Sequence, residues 1–450
     1  MIGRNISNDS RSAISRIDSI EFLSAAQSLL RLFAVSMAAA VLLLGSPIKS
    51  EAFSVLAHQA IVDQAWDKKI VPLVRERFPN ATEDDLKDAR AYARGGSHLP
   101  DLGYFPLGNR EFTDLLHYVR TGDFIRELLA EANSPQEYAF ALGVMAHYEG
   151  DTIGHPLATN LTVPILHPKL EAEYGDSVTY AEAPSAHLQT EFRFDVLQVA
   201  HRGEIPDLFD NSIEFKIPRE FLQRVFRENY GLNLDDLFEN FDVALTTYRW
   251  GFRMLIEETT GIAWQLYRDD IESLEPGMVE DKFLHAMPRA DFEQEFGKAF
   301  LEPGYFVRFV GFLGNLVPNV GPFAHLPYKP LPQNVRNLYF SAFHKASERY
   351  RTELDKLPQD QPWFPNLILD TGMTDRAGAY PPADKAYAEL LQIHARDHFV
   401  RVPKDLADDM MKHFQDRKAA VAFEDDPQKQ EETLSALTEF QSTTKRVSQR

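Results

Sequence analysis

Two histidines and a carboxylate recur at intervals of four residues near the middle of the first half of the chain. On a helix His147, Asp151 and His155 would share one face, because residues four apart stand one turn above another. Zinc binds imidazole nitrogens and carboxylate oxygens in a tetrahedral shell, so this spacing suits a zinc ion. Gly154 and Pro156 indicate that the helix frays near His155. Taken alone, the spacing is only moderately specific, and an ordinary polar helix face is the commoner cause of such a pattern.

Further residues of the same types lie on both sides of this stretch. In chain order the metal-capable side chains are His58, Asp101, His117, His147, Asp151, His155, His187 and Glu191. His187 and Glu191 form a second pair four residues apart. Together these residues predict a polynuclear zinc site in a cleft that several helices share. The chain has no cysteine, so disulfides and thiolate zinc sites are excluded, and any zinc must use His, Asp and Glu.

The hydrophobic pattern places these residues on successive helices. Apolar residues recur at helical spacing over residues 53–78, and a second helix with an acidic first turn follows. That helix is expected to end at Gly95–Gly96, which leaves residues 97–104 as a loop carrying Asp101. A longer loop is predicted over residues 156–184. Strand signals are scarce throughout the chain, so the predicted fold class is all-α.

The composition limits the class of partner. The chain has 450 residues, of which 44% are hydrophobic, and this is enough to bury a large core. Its formal net charge of −20 argues against a broad nucleic-acid-binding surface. It does not argue against a phosphate ester substrate, because bound zinc ions supply local positive charge. The sequence does not indicate an oligomeric state.

The N-terminal region predicts export. An apolar run over residues 32–44 is short for a membrane span and typical of the hydrophobic region of a signal peptide. Small residues at Ser50 and Ala52 would allow cleavage before Phe53. We therefore expect residues 1–52 to be a signal peptide and the mature protein to be periplasmic or secreted. The alternative is an uncleaved membrane anchor.

The remaining chain divides into three parts by composition. We expect a helical zinc domain over residues 53–275, a helical C-terminal region over 276–423 and a polar, disordered tail over 424–450. The C-terminal region contains an irregular stretch at residues 366–374, for which the alternatives are a cap over the cleft and a packing loop. An aromatic-rich run at residues 305–313 is either a buried helix or a surface that contacts a membrane.

The order of ligand types resembles the zinc-dependent phospholipase C superfamily, which also contains trinuclear-zinc single-strand nucleases. The resemblance covers roughly residues 53–200 and implies a multi-helix bundle around up to three zinc ions. It assigns Asp101, His117, His147 and Asp151 to one zinc, His155, His187 and Glu191 to a second, and His58, Asp151 and the free amine and carbonyl of Phe53 to a third. The family usually has Trp where this chain has Phe53. The short interval from Asp151 to His155 leaves His167 as an alternative ligand.

The activity that this resemblance implies is hydrolysis of a phosphate ester, in which Asp101 orients or deprotonates the attacking water. The expected function is phospholipase C-type cleavage of a glycerophospholipid by a secreted enzyme that contacts a membrane peripherally. One alternative is a single-strand nuclease or nucleotidase of the same superfamily. Another is a non-catalytic secreted protein whose zinc ions only hold its helices together.

Overall fold

Helices account for nearly all regular structure in the part of the chain that the structure describes. The computed structural model describes residues 55–201, 215–280, 283, 329–358, 364–418, 421 and 427–448. These residues belong to one unit, Ile48–Gly304 with Leu326–Arg450, and the second unit, Met1–Pro47 with Tyr305–His325, lies outside them. The predicted signal peptide, Phe53 and the run at 305–313 also lie outside the described residues.

The described elements are fifteen helices, four short helical turns and two strands. The helices are α1 (Val55–Ala65), α2 (Val71–Arg77), α3 (Glu83–His98), α4 (Arg110–Tyr118), α5 (Thr121–Glu131), α6 (Pro135–Gly154), α7 (Asn160–Leu166), α8 (Pro168–Tyr174), α9 (Pro184–Ala200), α10 (Arg219–Tyr230), α11 (Phe241–Leu274), α12 (Gln333–Lys356), α13 (Pro381–Ala395), α14 (Lys404–His413) and α15 (Pro427–Ser448). Wider π-helical turns cover Trp66–Ile70 and His155–Thr159, and 3-10 turns cover Leu99–Tyr104 and Leu234–Asp236. The strands β1 (Leu367–Ile368) and β2 (Met373–Thr374) pair antiparallel. The predicted all-α class is confirmed.

Helix α6 is the central element of the first half of the described chain. It begins where the sequence predicts, because the Ser134 side chain accepts a hydrogen bond from the backbone N–H of Glu137 at 3.2 Å. The Glu137 carboxylate in turn accepts one from the N–H of Asn133 at 2.7 Å. α6 is buried along nearly its whole length and packs against α1, α3, α5 and α12. A helix that is buried on all sides can present ligands to several neighbours at once.

The contact between α3 and α6 corrects one sequence expectation. The sequence predicts that α3 ends at Gly95–Gly96, but the helix continues to His98. The backbones of α3 and α6 approach each other closely here, since a Cβ on Gly96 would lie 2.1 Å from the carbonyl oxygen of Phe140. The glycine therefore serves close helix packing instead of ending the helix. The stretch that follows is a 3-10 turn, and it carries Asp101 into the interior.

The predicted loop over residues 156–184 is also corrected. The chain leaves α6 through the π-helical turn His155–Thr159 and continues as α7 and α8. Pro156 occupies the second position of that turn, and both Gly154 and His155 keep right-handed helical backbone angles. His155 therefore stays in line with α6 and remains buried.

The C-terminal region packs onto the same unit. Where the sequence predicts a disordered tail over 424–450, the structure contains α15, which packs against α13. Leu437 and Phe440 form a buried stripe at helical spacing on α15, which explains its order. Residues 366–374 pack beside α4, α5 and α7. Among the described helices, none is long and apolar enough to cross a membrane.

Candidate metal centre

Three groups of buried side chains meet between α1, α3, α4, α6 and α9. Within each group, one ligand atom per residue lies within 4.8 Å of the others. The groups are His58, His147 and Asp151; Asp101, His117 and His147; and His155, His187 and Glu191. The first two groups share His147, and Asp151 of the first group also contacts His117 of the second and His155 of the third. The arrangement is that of one connected cluster.

Asp151 occupies the middle of the cluster and faces four histidines. Its Oδ1 lies 3.1 Å from Nε2 of His58 and 3.3 Å from Nε2 of His155. Its Oδ2 lies 2.9 Å from Nε2 of His147 and 3.5 Å from Nε2 of His117. Burial opposes ionisation of this carboxylate, but His147, His58 and His155 hold its pKa well below the usual range. A carboxylate with one oxygen toward each pair of imidazoles can bridge two metal ions.

The rings of His117 and His147 are oriented by backbone carbonyls. Nδ1 of His117 donates to the carbonyl of Thr113 at 2.9 Å, and Nδ1 of His147 donates to the carbonyl of Ser97 at 2.9 Å. A carbonyl oxygen only accepts, so each Nδ1 carries a proton and each Nε2 of a neutral ring presents a lone pair. The two Nε2 atoms lie only 3.4 Å apart. Lone pairs at that distance require a cation or a proton between them.

Asp101, on the 3-10 turn, is the third member of the group that contains His117 and His147. Its Oδ1 lies 3.6 Å from Nε2 of His117, and its Oδ2 lies 4.0 Å from Nδ1 of His147. Burial alone would lower the pKa of His117, but the Asp151 hydrogen bond and the charges of Asp151, Asp101 and Asp370 raise it to about 10. Burial, with repulsion from His58 and His117, lowers the pKa of His147 to about 4. The carboxylates thus favour a cation beside His117.

The third group joins the end of α6 to α9. Nδ1 of His187 lies 2.8 Å from Oε1 of Glu191, and Nδ1 of His155 lies 3.6 Å from the same oxygen. The two imidazole rings stack with centroids 5.1 Å apart. Neither ring nitrogen of His155 has a hydrogen-bond partner among the described residues, although both are buried. Buried ring nitrogens that face carboxylates without such a partner fit a metal ion.

Gly150 allows His58 to reach the cluster. The ring of His58 stacks on that of His147 with centroids 4.1 Å apart. A Cβ at position 150 would lie 2.6 Å from Nδ1 of His58, which is closer than a Cβ can approach. The absence of a side chain at this position is therefore a condition for bringing α1 against α6.

The structure brings together every described candidate from the sequence. His58, Asp101, His117, His147, Asp151, His155, His187 and Glu191 all converge and are buried. Phe53 lies outside the described residues. Of the two alternatives, His155 lies in the cluster, whereas His167 belongs to none of the three groups. Sequence reasoning missed His98, a buried residue whose Nε2 lies 3.1 Å from Oε1 of Gln59.

An all-α bundle with a buried cluster of His, Asp and Glu has the donor atoms that metal-binding helical proteins use. The family model described as zinc dependent phospholipase C matches residues 57–238. The matched residues are similar to that family, and they contain all eight described candidates. No curated protein and no solved structure matches the chain. The family and the three buried groups support a zinc hydrolase.

Proposed function

We propose that the protein is a secreted zinc-dependent phosphoric ester hydrolase that cleaves a glycerophospholipid in the manner of a phospholipase C. The observation that carries the proposal is the position of Asp151, whose two oxygens face four buried imidazoles. A structural zinc site needs four ligands and no shared carboxylate. A bridged cluster instead suits hydrolysis, where adjacent metals act on the same phosphate group.

The proposed ligand set follows the three groups. One zinc takes Asp101, His117, His147 and Asp151, and a second takes His155, His187 and Glu191. The third takes His58, Asp151 and the amine and carbonyl of Phe53 after the signal peptide is removed. Under this proposal, export and cleavage are required for the complete site.

The chemistry that bound zinc would supply is a lower pKa for the attacking water and neutralisation of phosphate charge. The protein holds the Asp101 carboxylate in a fixed position. Asp101 is held on its turn because Oγ1 of Thr113 donates to the carbonyl of Pro100 at 2.7 Å and accepts from the N–H of Gly103 at 2.7 Å. A buried carboxylate in this rigid setting can orient the water and accept its proton.

The lipid substrate is supported by an apolar surface next to Asp101. Leu107 is 49% exposed. Its backbone φ is 63°, in the left-handed region that non-glycine residues rarely adopt. Phe105 packs on Tyr248 with ring centroids 4.3 Å apart and anchors the base of this loop. Leu107 is therefore our candidate for contact with an acyl chain or a membrane surface, whereas Tyr104 is buried.

The test compares two substrates on one purified, zinc-loaded protein. We expect release of diacylglycerol from phosphatidylcholine, no cleavage of single-stranded DNA, and loss of both lipid and chromogenic phosphodiester turnover in Asp101→Asn. Asp84→Asn, at an exposed position on α3, is the matched control and should retain activity. Cleavage of DNA without lipid would identify the nuclease alternative. Bound zinc without turnover of any phosphate ester would identify a structural role.

A further inference from the structure

The imidazole of His187 is held by a residue that is not itself a zinc-ligand candidate. Its Nε2 lies 2.9 Å from Oδ1 of Asn160, the first residue of α7. Nδ2 of Asn160 in turn donates to the backbone carbonyl of Asp370 at 2.9 Å. His187, Asn160 and Asp370 are all buried. Water therefore does not compete for these hydrogen bonds.

The chemistry of these groups fixes the direction of each hydrogen bond. A carbonyl only accepts, so the amide nitrogen of Asn160 must face Asp370 and its oxygen must face His187. That oxygen also only accepts, so Nε2 of His187 carries the proton. Nδ1 then keeps its lone pair and directs it toward the cluster, where Glu191 Oε1 lies 2.8 Å away.

Without Asn160 the opposite tautomer would be favoured. The Glu191 carboxylate is a strong acceptor at hydrogen-bond distance from Nδ1 of His187, and it would draw a proton to that atom. A proton on Nδ1 occupies the lone pair that a metal ion needs. Asn160 opposes this because its Oδ1 accepts a hydrogen bond from the protonated Nε2 on the other side of the ring.

The carbonyl of Asp370 is itself fixed by its surroundings. The Asp370 carboxylate accepts hydrogen bonds from the hydroxyls of Tyr118, at 2.9 Å, and Tyr380. The neighbouring N–H of Leu369 donates to the carbonyl of His117 at 3.1 Å. Residues 364–380, which we call the C-terminal strap, thus contact the backbone of the ligand candidate His117 and are linked to His187 through Asn160. The strap lies outside the region that matches the family model.

We propose that Asn160, oriented by the carbonyl of Asp370, is a positioning residue that keeps Nδ1 of His187 available for zinc. The C-terminal strap is then part of the metal site, not merely a packing loop. The inference rests on the proposed function, because it requires that the site hold zinc. Outer partners of metal-binding histidines typically contribute 10- to 100-fold to metal affinity.

The test measures zinc affinity by competition with a chromophoric chelator, and thermal stability separately. In Asn160→Ala we expect the affinity for one zinc of the set to fall about 10- to 100-fold. Asn160→Asp keeps an acceptor for His187 but cannot donate to Asp370, so its zinc affinity should stay within about threefold of wild type while its melting temperature falls. The matched control is Asn229→Ala, which removes a buried asparagine that accepts from Arg120 at 3.0 Å. It should lower the melting temperature without changing zinc affinity.

The outcomes separate this inference from the proposed function. Wild-type zinc affinity in Asn160→Ala would overturn the positioning role while leaving the zinc hydrolase proposal intact. Equal loss of affinity in Asn160→Ala and Asn160→Asp would overturn it as well, because control of the tautomer requires only the acceptor. Absence of zinc from the wild-type protein would overturn both proposals together.

Discussion

A buried ion cluster at the C-terminal end of the strap makes the stability of the protein depend on pH. His413 on α14 lies between two carboxylates, with Nδ1 at 2.6 Å from Oδ2 of Asp375 and Nε2 at 3.3 Å from Oδ1 of Asp384. Its ring stacks on Tyr387 with centroids 3.8 Å apart, and the Tyr387 hydroxyl donates to Asp409 at 2.6 Å. The His413 side chain is 1% exposed, so this charge is shielded from solvent.

The size of this pH effect on stability follows from the shift in the pKa of His413. Burial would lower the pKa of His413, but Asp375 and Asp384 raise it to about 9. An unfolded histidine has a pKa of about 6.5, and the difference corresponds to about 3 kcal/mol of unfolding free energy. Because the folded-state pKa is the higher one, this stabilisation is fully present below pH 6.5. It falls to about 2 kcal/mol at pH 7.5 and is nearly lost by about pH 10.

The perturbation is His413→Gln, measured against wild type by chemical unfolding of the zinc-free proteins from pH 6 to pH 10. We expect the variant to be less stable by about 3 kcal/mol at pH 6, with the difference shrinking toward zero as the pH rises through 9. His398→Gln is the control, since its side chain is 80% exposed beside Glu439. It should leave the wild-type pH profile unchanged. A difference between wild type and His413→Gln that is constant or grows with pH would refute the reasoning.

Three further predictions concern the metal cluster. Asp151→Asn should lose the two zinc ions that share this carboxylate, whereas Glu191→Gln should lose only one, as measured by metal analysis of dialysed protein. Gly150→Ala, whose Cβ would lie 2.6 Å from an imidazole nitrogen, should cost about 1–3 kcal/mol of stability and weaken zinc binding, and unchanged zinc affinity would contradict the close contact. The control Gly261→Ala, in open space on α11, should be neutral or stabilising by up to about 1 kcal/mol. A chain that retains an extension before Phe53 should bind one zinc fewer than the mature chain, and equal zinc content would refute the role of the amine.

Features that depend on local spacing could be predicted from the sequence. The pairs His147–Asp151 and His187–Glu191 are visible because a helix places residues four apart on one face. The start of α6 at Ser134 could also be predicted, because the hydrogen bonds that cap this helix join residues close in sequence. For the same reason, the all-α class follows from apolar periodicity without knowledge of the packing.

Features that depend on distant contacts could not be predicted in this way. Gly95–Gly96 resembles a helix end, and only the approach of α6 shows that the glycines allow packing. Similarly, Leu437 and Phe440 lie in a polar stretch whose order depends on α13. The partner of Asn160 is 210 residues away in sequence, so no local pattern indicates its role.

The central claim is that the buried histidines and carboxylates bind a zinc cluster that hydrolyses phosphate esters. The most direct measurement is the zinc content of the mature protein beginning at Phe53, determined together with its turnover of a phosphodiester before and after chelation. We predict three zinc ions per mature chain, loss of activity when the metal is removed, and recovery when zinc is restored. A purified protein that binds no zinc, or whose phosphodiesterase activity survives complete removal of metal, would contradict the central claim.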